Sequence, residues 1–111
     1  MGIEQRRHVR HDVSVPAFMR ASEEVGGAFV ITILDVSASG MRVASSRALD
    51  IGARVVVKYR QSEISGVIRY ARGVGRGEFH LGIEVEVVTN APMGMQGEID
   101  LTLLFPVRRA I

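Results

Sequence analysis

Apolar and polar positions alternate along most of this chain with a period of two, as expected for strands that bury one face against a core. The stretch VSVPAFMR (13–20) alternates, and Pro16, which cannot donate to a ladder, restricts that strand to an edge or a bulge. AFVITILDV (28–36) is a β-branched run, flanked by glycine and too short for a convincing helix. Further strands are predicted at 41–45 (MRVAS), 54–61 (RVVVKYRQ), 63–72 (EISGVIRYAR) and 78–88 (EFHLGIEVEVV). Turn chemistry separates them: SEEVGG at 22–27, then SASG, ALDIG, a tight break at Gln61-Ser62, and GVGRG. Six short strands at fairly regular spacing describe an all-β antiparallel barrel or sandwich.

The two ends read differently. Residues 1–12 (MGIEQRRHVRHD) hold few apolar side chains among three arginines and two histidines, so the pattern predicts a flexible arm ahead of a barrel at 13–88. Residues 89–111 form a C-terminal extension in which Ile99, Leu101, Leu103 and Phe105 alternate as a strand would. Ile99, Leu103 and Leu104 equally satisfy a short helical face. Helix and strand both stay open, and Pro106 ends either one. An apolar tail of this kind covers the open end of a barrel or pairs with another subunit.

Length and composition narrow the function classes. At 111 residues the chain has room for one ordinary domain, which excludes an enzyme with a separate cofactor module. No cysteine is present, so disulfides, thiolate catalysis and cysteine-based zinc sites are excluded. No segment approaches the roughly 20 apolar residues of a membrane span, and no apolar stretch follows the N-terminal arginines, so a cytoplasmic protein is expected. The formal net charge is only +2, yet thirteen of the fourteen basic residues are arginine, Lys58 being the exception. Arginine offers a planar fork of donors suited to phosphate and guanine, although compositional bias is the favoured account of the count taken alone.

Two small constellations carry candidate chemistry. Arg6, Arg7 and Arg10 form an R-R-x-x-R cluster in the arm. Asp35, Ser37 and Gly40 form a D-x-S-x-x-G turn at the exit of the strand 28–36. Taken singly, each has an ordinary reading: a solvated basic arm, and an Asx-type turn closing a hairpin. His8 and His11 lie three apart but lack clustered carboxylates, so no metal site is expected. GVGRG lacks the lysine and the following helix of a phosphate-binding loop and reads as a hairpin turn. Tyr70 shares its alternation with Ile64 and Ile68, which favours a ring facing the core over one offered to a stacked base. No nucleophile, base and acid order stands out, and no catalysis is expected.

In this order along the chain, the arginine motif Arg6 to Arg10, the turn Asp35, Ser37 and Gly40, and Leu81-Gly82 on the last strand resemble the PilZ domain family over residues 4 to about 88. The resemblance implies a six-stranded antiparallel β-barrel that binds the bacterial second messenger cyclic di-GMP through Arg6, Arg7, Arg10, Asp35, Ser37 and Gly40. It implies no metal, no cofactor beyond that ligand, and a downstream protein partner. Many members carry a C-terminal helix, and the ambiguous tail here departs from that pattern.

The chemistry of these residue types agrees with such a ligand. Guanidinium forks bond to phosphate or to guanine O6 and N7, and a carboxylate accepts from the guanine Watson–Crick edge, which makes Asp35 the candidate base reader. Ser37 and the turn amides can donate to phosphate, and Gly40 allows a positive φ and a close approach. Two alternatives remain: a PilZ-like adaptor that binds no ligand, and a small barrel binding single-stranded nucleic acid. Against the latter stands an aromatic content of 5% with no tryptophan, because such proteins stack bases on aromatic platforms.

Overall fold

The alternation is realised as six antiparallel strands. In a computed structural model, which describes residues 10–22, 26–91 and 99–105, these are β1 (His11–Ala21), β2 (Phe29–Val36), β3 (Gly40–Ser45), β4 (Arg54–Tyr59), β5 (Ser62–Gly75) and β6 (Glu78–Thr89). They close into a barrel in the order β1-β2-β3-β6-β5-β4. Closure leaves the sheet without a free edge and selects the barrel over the sandwich. The strands begin or end within three residues of the predicted positions. The first starts at His11, ahead of the expected Val13, so His11 and Asp12 pair with Val36 and Asp35.

Pro16 sits where the sequence requires. β1 pairs with β4 only from Phe18 to Ala21, so at Pro16 it has the single neighbour β2. A register shift between Asp12 and Val15, with Ser14 at φ 50°, adds the bulge just before it. The β5–β6 hairpin turns at Arg76 and Gly77, both with positive φ (57° and 72°), the backbone that a tight hairpin with right-handed strand twist demands. Of GVGRG, only Arg76 and Gly77 make the turn, and Gly73, Val74 and Gly75 continue β5.

The barrel interior is filled by alternate residues from every strand, among them Met19, Ile33, Met41, Val57, Ile68 and Leu81, each almost fully buried. The C-terminal extension completes this core. Leu101–Leu103 form a 3-10 turn, capped by Asp100, whose carboxylate accepts from the Thr102 amide at 3.1 Å and its hydroxyl at 2.6 Å. The buried face is Leu101, Leu104 and Phe105, while Leu103 is exposed. Helical spacing therefore wins over strand alternation, with a different face from the one that Ile99, Leu103 and Leu104 outlined. With every strand edge already paired, an added strand has no ladder to join. Phe105 packs against Tyr59 with ring centroids 4.5 Å apart. Pro106 lies outside the described residues.

Candidate functional site

β2 ends at Val36 and reverses into β3 through Ser37, Ala38, Ser39 and Gly40. The Ser37 amide donates to the Gly40 carbonyl at 2.9 Å, and the Ser37 hydroxyl donates to the same oxygen at 3.4 Å. Gly40 takes no positive φ; its role is proximity. A Cβ there would meet the Ile83 carbonyl oxygen at 3.1 Å, so glycine lets the turn lie tight on β6. Ser39 and Ala38 anchor the turn outward: the Ser39 carbonyl accepts from the Val85 amide at 2.9 Å, and the Ala38 carbonyl from the Leu101 amide at 2.8 Å.

Asp35 is the electrostatic centre of this region. Its side chain is only 2% exposed and accepts from two guanidiniums: Arg10 Nη1 at 2.7 Å on Oδ1, and Arg42 Nε at 2.8 Å and Nη2 at 2.7 Å on Oδ2. A carboxylate that far from water needs such charge-assisted partners. The arginines stay wetter, at 51% and 38% exposure, so their outer N–H groups remain accessible. Both Asp35 oxygens accept from an arginine here, one from Arg10 and one from Arg42. It sets the position of two arginines.

That groove has a volume of about 820 Å³ and runs along the outer face of β3, β6 and β5 beside the turn. Arg10, Ser37, Ser39, Gly40 and Arg42 border it from one side, and Arg69, Tyr70 and Glu84 from the other. The size falls within the range of roughly 300 to 1,000 Å³ typical of ligand pockets. Arg69 Nε donates to Glu84 Oε1 at 2.7 Å, a pair in which both side chains are more than half exposed. Gly82 forms the floor.

Of the expected site residues, the structure brings together Arg10, Asp35, Ser37 and Gly40; Arg6 and Arg7 lie outside the described residues, as does His8. Arg42, Arg69 and Glu84 escaped the sequence reading, and Tyr70, weighed there, was expected to face the core. Arg42 was within reach of it, because it stands two residues beyond Gly40 on the same face of a strand. The facing of Tyr70 was not. A register shift between Ile68 and Tyr70 inserts Arg69 as an extra residue and reverses the alternation that had aimed the ring inward. Tyr70 is 36% exposed and lies in the groove, not in the core.

The sequence model of the PilZ domain matches residues 4–100. This chain belongs to the PilZ domain family. The match spans the arginine motif, the whole barrel and the approach to the C-terminal turn, so the fold and the family agree. PilZ domains are ligand-binding and adaptor modules, generally receptors for cyclic di-GMP, and not a family of enzymes. A search of curated proteins finds no match. Among the described residues of this PilZ domain, no group of three or more His, Asp or Glu side chains could hold a metal ion, and no helix is long and apolar enough to cross a membrane.

Proposed function

We propose that this PilZ domain binds cyclic di-GMP in the groove over β3, β6 and β5, and acts as a ligand-switched receptor or adaptor. The observation that carries the reading is the pairing of Asp35 with Arg10 and Arg42. A buried carboxylate holds two half-exposed guanidiniums at the mouth of a groove large enough for a nucleotide. Arginines held in place lose less side-chain entropy when an anionic ligand arrives, so more of each contact is realised as affinity.

The groove supplies what the ligand's chemistry requires. Its two phosphates need cationic forks, for which Arg10, Arg42 and Arg69 are placed; Arg6 and Arg7 precede Arg10 by four and three residues and would extend the clamp over the bound molecule. Ser39 offers a donor at the turn, and the Ser37 hydroxyl would add one by turning away from the Gly40 oxygen 3.4 Å from it. Three or four charge-assisted contacts, less the cost of ordering the arm, leave a net of about −8 kcal/mol, on the order of micromolar affinity. Neutralisation of the arm's charge by the phosphates would fold it onto the barrel and create a new surface for a downstream protein. Cyclic di-GMP is a bacterial cytoplasmic messenger, which assigns the domain to that compartment.

Isothermal titration of the protein with cyclic di-GMP tests this. Saturable binding, weakened at least tenfold by Arg10→Ala and by Arg42→Ala, is the expected result. An absence of binding by the wild-type protein overturns the reading.

A further inference from the structure

Across the barrel from the groove over β3, β6 and β5, the outer face of β2, β1 and β4 carries a contiguous apolar patch. Phe18 on β1 stands opposite Val30 on β2, and both are largely exposed, at 54% and 60%. On its other side Phe18 stands opposite Lys58 of β4, and two residues further along β1 Arg20 stands opposite Val56. These four positions of β1 and β4 form a square. Phe18 and Val56 occupy one diagonal, and the cations Arg20 and Lys58 occupy the other. They enclose a mostly apolar recess of about 260 Å³, bordered also by Ala28 and Glu63.

The recess is smaller than the roughly 300 Å³ at which pockets for whole small molecules begin, so it suits one inserted side chain. Its mouth is cationic. Arg54, on the same face of β4, is paired with Glu86 at 2.6 Å, whereas among the described residues Arg20 and Lys58 form no ion pair. Glu63 is half-buried and is the register partner of Lys58, yet no ion pair joins them. Two cations therefore stand at the recess against one carboxylate.

We propose that this face docks an acidic segment of another protein: an apolar side chain of the partner enters the recess between Phe18 and Val56, and carboxylates beside it pair with Arg20 and Lys58. An exposed aromatic next to a recess, rimmed by charge, is the usual form of a protein contact. The sign of the charge selects the partner. A second copy of this chain, docked about a two-fold axis, would set Arg20 and Lys58 against their own counterparts, and like charges facing each other suppress such pairing. The concave shape favours an inserted side chain over a flat anionic membrane. Burial of the anchor supplies affinity, and the two cations fix its orientation. The site is separate from the groove, so it stands or falls independently of the cyclic di-GMP reading.

Titration of the isotope-labelled full chain with three acetylated, amidated pentapeptides, followed by backbone amide NMR shifts, tests this. Asp-Glu-Leu-Glu-Asp is expected to shift the amides of β1 and β4 around Phe18 and Lys58 saturably. Asp-Glu-Ser-Glu-Asp, without the anchor, and Lys-Lys-Leu-Lys-Lys, with the charge reversed, should each bind at least tenfold more weakly. Phe18→Ser and Lys58→Glu, both at exposed positions, should each weaken the acidic peptide by about tenfold. Arg72→Gln, at an exposed position of β5 outside the patch, should leave it unchanged. No saturable shift up to millimolar peptide, shifts centred elsewhere, or equal binding of the basic peptide overturns the proposal. Dimerisation abolished by Phe18→Ser would make a second copy the occupant, and Phe18-dependent co-sedimentation with phosphatidylglycerol vesicles would make it a membrane; either result overturns the proposal too.

Discussion

Arg10 and Asp35, 25 residues apart in sequence, meet at 2.7 Å between Nη1 and Oδ1 at the start of β1 and the end of β2. The contact joins the two sequence motifs into one structure. It also sets the two partners in different surroundings, Asp35 buried and Arg10 half-exposed.

The burial asymmetry of this pair predicts how its stability responds to substitution. Either Arg10→Ala or Arg42→Ala leaves the other arginine to hold Asp35, so each should cost about 1 kcal/mol, as for a half-exposed ion pair. Removing both strands a buried charge and should cost about 3 kcal/mol, more than the sum of the singles. Adding Asp35→Ala to the double variant should recover part of that loss, because it removes the buried carboxylate left without a partner. Urea denaturation of the four variants measures this; strictly additive losses would remove Asp35 from the centre of the cluster.

Gly82 predicts a steric coupling to Tyr70. Gly82→Ala places a methyl group against the ring and should destabilise the barrel by about 1 to 3 kcal/mol, the usual range for overpacking. In a Tyr70→Ala background the same change should cost much less. Thermal melts of the two single variants and the double variant give the coupling, and equal costs in both backgrounds would show that the ring does not rest on Gly82.

Gly66 allows no such escape. A Cβ there meets the Glu84 backbone, with its carbonyl carbon at 3.1 Å, and the Ile83 Cγ2 at 2.8 Å. The position is buried in the β5–β6 ladder beside a register shift, so the strands themselves must part. Gly66→Ala should cost more than Gly82→Ala in the same denaturation assay, and a smaller cost would contradict the close packing of these two strands.

The C-terminal turn behaves as part of the core. Leu101 is fully buried, and its amide donates to Ala38 in the β2–β3 turn. Leu101→Ala should therefore destabilise by about 2 to 5 kcal/mol, while Leu103→Ala, at an exposed position, should fall within about 0.5 kcal/mol of wild type. Because Leu101 touches the turn, its replacement should also accelerate amide exchange at Ser39 and Gly40. Exchange confined to residues 99–105 would mean that the tail and the turn are not coupled.

The salt dependence of ligand binding follows from the ligand's charge. Two phosphates limit the slope of log affinity against log salt to a magnitude of about 1.4, whereas a bound polynucleotide strand exceeds it. Titrations between low and moderate salt decide between them, and a steep slope would favour the nucleic-acid alternative.

The strands, their turns and much of the site were legible in the chain because their causes are local. A period of two places strand faces, Gly, Asn, Asp and Ser mark reversals, and Pro16 restricts its strand to a place with one neighbour. The pairing of an arginine motif with the Asp35, Ser37 and Gly40 turn added the family. What no local pattern contains is the outcome of closing the barrel. Closure sets β6 between β3 and β5, and so brings Arg42, Gly82 and Tyr70 into one row from three separate strands. A single extra residue at Arg69 reverses the facing of Tyr70 and moves it from the expected core into the groove. Closure also buries Asp35 between two guanidiniums, so that it anchors both of its neighbours. It leaves the tail no strand edge to extend, so Leu101, Leu104 and Phe105 fill the barrel end instead. Local chemistry determined which residues could act; pairing register decided which of them face one another.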